Sequence, residues 1–303
     1  MKIQTLLIFF KSIVLLLHKI IYMEFKNLEL VDIEELLSVF NTSFSDYLVP
    51  FHLTLEQLEL KIALEKIDMN LSVGVFESDK LQGFILQACK EENGKHIIYN
   101  AGTGINPEYR GKGLVRKMYD FILPVLKEKN ADVLTLEVIE KNDPAIRAYE
   151  NLGFKIARKL FCFNGIIELK DKNTEVSIEE MDNFQWEVFQ SFWDIVPSWQ
   201  NSSAILTDRE KRYKILGAYK NKQLVGYAVY NPIARKVSQI AVDKNYRRQG
   251  IGTEIFRIIE NLSGGQAVSV NNVDDTSENT SAFLEKGVGL KNWLSQFEMN
   301  KEI

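Results

Sequence analysis

The chain reads as two successive α/β (α+β) domains. Three observations predict it: short strands alternate with helices, a hairpin occurs twice, and a Gly-rich turn follows each hairpin. With 303 residues, 46% hydrophobic and 26% charged, the sequence has globular composition and enough length for two cores of about 150 residues each. The elements follow in chain order. From Met23 a strand leads to helical segments at Asp32–Phe40 and Leu55–Lys66, the latter with Leu58 and Ile62 at helical spacing. Two apolar runs, Leu71–Phe76 and Leu81–Ala88, flank the polar turn Glu77-Ser78-Asp79-Lys80, a hairpin signal. A strand at Ile97–Ile105 then meets a Gly-rich turn and a helix, Leu114–Lys129, that stops at Asn130. Val133–Ile139 is a buried strand, Pro144–Asn151 a helix, and Ile156–Phe163 a last strand closed by Asn164-Gly165.

The second half repeats this plan. Gly217 to Tyr227 copies the spacing of Gly74 to Phe84, and Ala241 to Gly252 parallels Gly104 to Val115 in the same order, about one domain length later. The polar stretch Glu168–Glu180 marks the junction, so the expected domains are 23–166 and 167–303. Residues 1–22 differ in kind. Leu6–Phe10 and Ile13–Leu17 are short apolar runs split by Lys11 and Ser12, too broken for a membrane span and without a small-residue cleavage site. Translation starting at Met23 explains them; an amphipathic helix is the alternative.

Composition narrows the chemistry. A net charge of −4 gives no overall basic field for a nucleic-acid backbone. Two cysteines, Cys89 and Cys162, stand far apart and outside any C-x-x-C, which suits a reducing, cytoplasmic setting. His18, His52 and His96 are scattered, no pair has metal-ligand spacing, and no G-x-S-x-G precedes a helix, so neither a metal site nor a Ser-His-Asp triad is expected. What remains is the recurring turn. A strand, a Gly-rich turn and a helix start aim backbone N–H groups and the positive helix end at one point, which suits phosphate. Arg110-Gly111-Lys112-Gly113 and Arg247-Arg248-Gln249-Gly250-Ile251-Gly252 both fit. The first has no Ser or Thr after its lysine, as a P-loop requires, and neither is a G-x-G-x-x-G.

On these motifs the chain resembles the GNAT acetyltransferases, whose signature is Q/R-x-x-G-x-G/A after a strand, over nearly all of residues 23–303. The resemblance implies two tandem folds, each a mixed, mostly antiparallel twisted sheet flanked by helices. It implies acetyl-CoA as co-substrate, cradled by Arg110, Gly111, Lys112, Gly113, Leu114 and Val115 after Ile105. In the second copy the cradle is Arg247, Arg248, Gln249, Gly250, Ile251 and Gly252 after Val242. Val115 departs from the pattern, where the family has Gly or Ala. Leu136 to Phe154 further resembles the L-E-V…N…Y-E-x-x-G-F segment of family members that acetylate ribosomal-protein N-termini. The resemblance makes Tyr149 the proton donor to the CoA thiolate and Glu137 the general base, with Asn142 beside the pantetheine arm. Glu137 would need a raised pKa to serve an ammonium group, or would act through water. The second copy has Phe283 and Asn271 at those two positions. Trp193, Pro197, Trp199 and Gln200 fall in the segment that covers the acceptor groove in the family, or else they pack between domains. The expected function is acetyl transfer to a primary amine of a small molecule or protein N-terminus in a ternary complex. The alternative is a noncatalytic acyl-CoA-binding or protein-interaction module. Expected partners are acetyl-CoA and an amine acceptor, without nucleic acid or stable membrane insertion.

Overall fold

The computed structural model describes residues 23–49, 51–92, 94–169, 175–207 and 212–303. The expectations about residues 1–22 lie outside them. The chain packs as two compact units. The first holds residues up to Ala63, with Ile67–Cys89 and Asn100–Asp132; the second holds Leu64–Lys66, Lys90–Tyr99 and everything from Val133.

In the first unit, β1 (Met23–Asn27) pairs antiparallel with β2 (Val73–Glu77), which pairs antiparallel with β3 (Lys80–Glu92). The β2–β3 turn places Ser78 and Asp79 at positive φ, the backbone that a two-residue hairpin with the right twist requires. Helix α1 (Ile33–Ser43) starts on Asp32, whose carboxylate accepts from Glu34 N and Glu35 N at 2.8 and 3.2 Å. Its buried residues Leu36, Val39 and Phe40 meet Leu58 of α2 (Leu55–Leu64) and Phe84 of β3 in one apolar cluster. Strand β4 (Lys95–Ile105) contributes its first half to the second unit and its second half, Asn100–Ile105, to the first. Helix α3 (Leu114–Glu128) follows and buries Leu114, Met118, Ile122 and Leu126 at its 3.6-residue period.

The second unit is larger. Its strands are β5 (Val133–Ile139), β6 (Lys155–Gly165), β7 (Ser177–Met181), β8 (Lys214–Lys220), β9 (Gln223–Asn231), β10 (Lys236–Val242), β11 (Val268–Asp274) and β12 (Lys291–Glu302). They lie in the order β5-β12-β6-β11-β10-β9-β8-β7. The β8–β9 turn repeats the first hairpin, with Asn221 and Lys222 at positive φ. Helix α7 (Ile251–Ser263), preceded in chain order by α4 (Asp143–Glu150), α5 (Trp186–Ser191) and α6 (Ser203–Thr207), buries Ile251, Ile255, Phe256 and Ile259. These pack with Val225, Ala228 and Val237 of the sheet. Helix α8 (Glu278–Ala282) runs into one π-helical turn, Phe283–Gly287.

The strand order holds a result that no local pattern announces. Strand β12, last in the second copy, lies between β5 and β6 of the first, antiparallel to both. Strand β6, in turn, pairs with β11 of the second copy. The two copies thus exchange their final strands. Asn164 and Gly165 belong to β6, paired with Ser269 and Val268, instead of ending a unit. Arg158 on β6 ties the exchanged strands together: its guanidinium reaches Glu298 on β12 at 2.7 Å and Asp274 on β11 at 3.1 Å, with all three side chains at least 84% buried.

Candidate acetyl-CoA cleft

Strands β10 and β11 are parallel neighbours, yet they pair only at Lys236 with Ser269 and Val237 with Val270. Beyond that point they part. Two irregularities turn them aside: β10 bulges against β9 between Val237 and Gln239, and β11 shifts register against β6 between Val270 and Val273. Asn272 sits at the second irregularity with φ of +63°, a left-handed conformation that asparagine tolerates better than most residues. It is held there by three bonds. Its Nδ2 donates to Ser198 Oγ at 2.9 Å, while its Oδ1 accepts from Gln296 Nε2 at 2.6 Å and from the Cys162 thiol at 3.7 Å. Between the parted strands lies a cleft of about 730 Å³, within the range of small-molecule sites.

The start of α7 lines the foot of this cleft. A short 3-10 turn, Lys244–Tyr246, leads to Arg248 at φ +64° and Gly250 at φ +86°, and the helix begins at Ile251 with no side-chain cap. Its first N–H groups therefore have no intrahelical partner and face the cleft with the positive end of the helix dipole. A left-handed backbone at 250 is readily adopted only by glycine, which explains the motif's first Gly. Gly252 has another reason: a Cβ there would come within 2.9 Å of the Phe283 ring.

The first copy forms the same turn in its own unit. The 3-10 turn Pro107–Tyr109 leads to Gly111 at φ +74° and Gly113 at φ +69°, then to α3. Both arginines have a shared role that the sequence did not suggest. Arg110 donates through Nε to Ile105 O, through one terminal nitrogen to Ser43 O, and through both to Asp46 at 2.7 and 2.9 Å. Arg247 donates through Nε to Val242 O at 3.0 Å and through a terminal nitrogen to Phe192 O at 3.1 Å, and it pairs with Asp194 at 2.7 Å. Each guanidinium is thus spent on the segment that precedes the hairpin. What each turn offers an anion is its backbone amides. Arg248 donates to Asn279 Oδ1, and Gln249 accepts from Lys220.

A chain of buried polar groups lines the deep wall. Trp193 Nε1 donates to Tyr227 Oη at 2.5 Å, the Tyr227 hydroxyl to Gln239 Oε1 at 2.6 Å, and Gln239 Nε2 to Asn201 O at 2.5 Å. Asn201 Nδ2 then donates to Asn271 O at 3.0 Å. Burial holds the Tyr227 phenol well above the ordinary tyrosine value, so it stays protonated. Two acceptors are left over: the buried Oδ1 atoms of Asn201 and Asn271 have no hydrogen-bond partner.

The predicted catalytic pair lies elsewhere. Neither Glu137, Asn142 nor Tyr149 lines the cleft. Asn142 caps α4, its side chain accepting from Ala145 N at 3.3 Å. Tyr149 is buried on α4 with its ring edge-on to Phe154, centroids 5.7 Å apart. Glu137 on β5 accepts from the Tyr99 hydroxyl through Oε2, while its buried Oε1 has no partner. Burial, with Glu298 and Glu65 nearby, raises its pKa from 4.5 to about 7, against the lowering effects of the Tyr99 bond and Arg158. Tyr99 stacks on Trp199 at 4.9 Å and 10°, and Gln200 Nε2 donates to the Tyr99 oxygen at 3.5 Å. The Phe192–Asn201 segment thus has two faces. Trp193, Pro197 and Asn201 line the cleft, whereas Trp199 and Gln200 cap Glu137 through Tyr99.

Asp194, Asn201, Tyr227 and Gln239 carry no motif, and sequence reasoning missed them. The hairpin repeat, which fixes where β9 and β10 begin, is the one signal that points toward Tyr227 and Gln239. Among the described residues no group of His, Cys, Asp and Glu is arranged to hold a metal ion, and no helix is long and apolar enough to cross a membrane.

Known proteins place this geometry. The acetyltransferase (GNAT) family model matches twice, at residues 33–154 and 178–289. A mycothiol acetyltransferase of Corynebacterium aurimucosum is 45% identical over 57 residues, 19% of each chain. N-alpha-acetyltransferase 30 of Schizosaccharomyces pombe is 31% identical over 90 residues, 29% of this chain and 59% of that protein. The chain thus spans less than two thirds of the length of these relatives. Among solved structures, a GCN5-related N-acetyltransferase from Sphaerobacter thermophilus superposes with a TM-score of 0.69 at 14% identity, over 92% of this chain and 95% of that one. A tandem GNAT protein from the clavulanic acid biosynthesis pathway gives 0.65 at 12% identity, over 93% and 98%. These last two likenesses are of fold. Two family matches, two cradles of the same construction and the parted strands of the second copy lead to one conclusion: the chain belongs to the GNAT acetyltransferase family and carries its fold twice.

Proposed function

We propose that the chain transfers an acetyl group from acetyl-CoA to a primary amine, and that acetyl-CoA is bound in the cleft of the second copy. The observation that carries this reading is the parting of β10 and β11 over the uncapped start of α7. The free amides of Arg248 to Gly252 and the helix dipole receive the pyrophosphate. Backbone groups on the parted strands, freed from the ladder, bond the amides of the pantetheine arm as an extra strand would. Acetyl-CoA supplies a thioester carbonyl, and the chain holds it where the acceptor nitrogen arrives. The C–N bond forms, the C–S bond breaks with its electron pair on sulfur, and the proton shed by nitrogen returns to that sulfur or to water. A thiol of pKa about 8.5 leaves near neutral pH without an obligatory acid, which fits phenylalanine at 283.

One observation favours a second reading, in which the first copy carries the chemistry. Glu137, with its pKa near 7, has the basicity a general base needs, and Tyr149 would supply the proton to the thiolate. Calorimetry with acetyl-CoA separates the two readings. Gly250→Glu is expected to abolish binding in the second cleft and thiol release with it. Thiol release surviving in Gly250→Glu and lost in Gly113→Glu or Tyr149→Phe would place the reaction in the first copy. Binding with no thiol release for any amine would make the chain an acyl-CoA-binding module.

A further inference from the structure

We propose that Asn201 sets the length of acyl chain that the second cleft accepts, by closing its narrow end as a crossbar between β10 and β11. The inference rests on acetyl-CoA binding in that cleft, with its pyrophosphate at the start of α7 and its thioester toward the last paired residues of the two strands. Those residues are Val237 and Val270. Gln239 follows Val237 across the bulge and Asn271 directly follows Val270, so both stand where the strands have just parted. Asn201 bonds to each. Its backbone oxygen accepts from Gln239 Nε2 at 2.5 Å, and its Nδ2 donates to the backbone oxygen of Asn271 at 3.0 Å. The gap that the ladder leaves open is thus bridged by a residue from outside the sheet, and Asn201, Gln239 and Asn271 all line the cleft.

The bar is fixed at both ends and from behind. Gln239 Oε1 accepts from the Tyr227 hydroxyl at 2.6 Å, so its amide cannot swing off Asn201 without stranding a phenol that burial keeps protonated. Asn201 ends the 3-10 turn Trp199–Asn201. Ser198, just before that turn, accepts from Asn272 Nδ2 at 2.9 Å through Oγ and from Asn201 N at 3.0 Å through its carbonyl, while Trp199 stacks on Tyr99. Ser198, Trp199, Asn201 and Ser202 are each at most 4% exposed, so the turn is enclosed by the fold and does not lie on its surface. An acyl chain running on from the thioester toward Val237 meets this bar. To pass it, the chain would have to break the two bonds of Asn201 and set methylenes against buried amide groups left without partners, which is unfavourable on both counts. An acetyl group stops short of it.

The test is calorimetry on the full chain with CoA and its acetyl, propionyl, butyryl and hexanoyl thioesters, and it needs no acceptor. In the parent, Kd is expected to weaken about tenfold from acetyl-CoA to butyryl-CoA and further at hexanoyl-CoA. Asn201→Ala is expected to bring butyryl-CoA to within about threefold of acetyl-CoA, with the Kd of CoA itself within about twofold of the parent's. Asn201→Gln, which thickens the bar, is expected to weaken propionyl-CoA about fivefold relative to acetyl-CoA. Hexanoyl-CoA binding to the parent as tightly as acetyl-CoA overturns the proposal, whichever variants fold. An acyl series that neither substitution changes also overturns it, because the selection then lies elsewhere. An equal loss for CoA and every thioester in both variants would make Asn201 a purely structural residue and overturn it too. Gly250→Glu separates this proposal from the reading beneath it. Unchanged acetyl-CoA binding in that variant would remove acetyl-CoA from the second cleft, whereas lost binding together with a flat acyl series in the parent would overturn the acyl limit alone.

Discussion

The two cradles are built alike and furnished differently. Each turns through left-handed backbone into an uncapped helix, and each pins its arginine to an aspartate of the preceding segment, Asp46 in one and Asp194 in the other. They diverge at the positions that follow. The second copy has Gly252 under the ring of Phe283 and an amide at Asn271; the first has Val115, Tyr149 and the carboxylate of Glu137. The lesson is that the turn and its latch are common to both copies, while the side chains given a catalytic part in the proposed readings differ. Asn271 and Glu137 show the difference most plainly, since one is neutral at every pH and the other titrates near neutrality.

The largest expected effect tests the cradles themselves. Gly250→Glu forces a side chain into a φ of +86° and sets a carboxylate against the pyrophosphate, and it should weaken acetyl-CoA binding more than a hundredfold by calorimetry. Gly113→Glu should leave the binding of the second cleft intact, and equal losses in both variants would break the contrast.

The Glu137 carboxyl offers the next test, read as stability against pH. Its pKa is raised in the folded state, so between about 4.5 and 7 the folded chain keeps a proton that the unfolded chain has lost. Stability therefore falls as pH rises through that window. Glu137→Gln should be more stable than the parent by about 2–3 kcal/mol at pH 8, with the gap closing below pH 5 in urea melts. A gap that persists at pH 4.5 would show that Glu137 is not the titrating group.

Smaller effects sharpen the comparison at Gly252. Gly252→Ala should cost about 1–2 kcal/mol by pushing on the Phe283 ring, and adding Phe283→Leu should recover much of it. Additive costs would mean that the ring is not the obstacle. The latches come last. Asp194→Asn should cost less than about 1 kcal/mol, the ion pair being partly exposed, while hydrogen exchange in Phe192–Asn201 rises measurably. Asp46→Asn should change stability less.

Much of this was legible in the sequence because it is local. Hairpin turns, helix starts and amphipathic periods are written within a dozen residues, so β5 was expected at Val133–Ile139, where it is found, and α3 within a residue of its end. The duplicated turn at Arg247–Gly252 likewise marked where a helix starts, at Ile251. What could not be seen were pairings between residues far apart. The exchange of β6 and β12, the union of Arg247 with Asp194, and the relay from Trp193 to Asn271 depend on which strands become neighbours. The contact of Glu137 with Tyr99, itself stacked on Trp199, is likewise one that no motif announces.

The exchanged strands also bear on how the chain is made. Strand β12 belongs between β5 and β6, yet the ribosome completes β6 more than a hundred residues before β12 begins. Through that interval the facing edges of β5 and β6 have their ladder groups open, the condition in which nascent chains pair with the wrong neighbour. Either the gap stays unformed until β12 arrives, or β12 must thread into a half-built sheet. A break introduced between the copies would therefore not release two working halves. It would release two chains, each with its own final strand and without the partner's that its sheet uses, and mixing them should restore the fold only by exchanging those strands again.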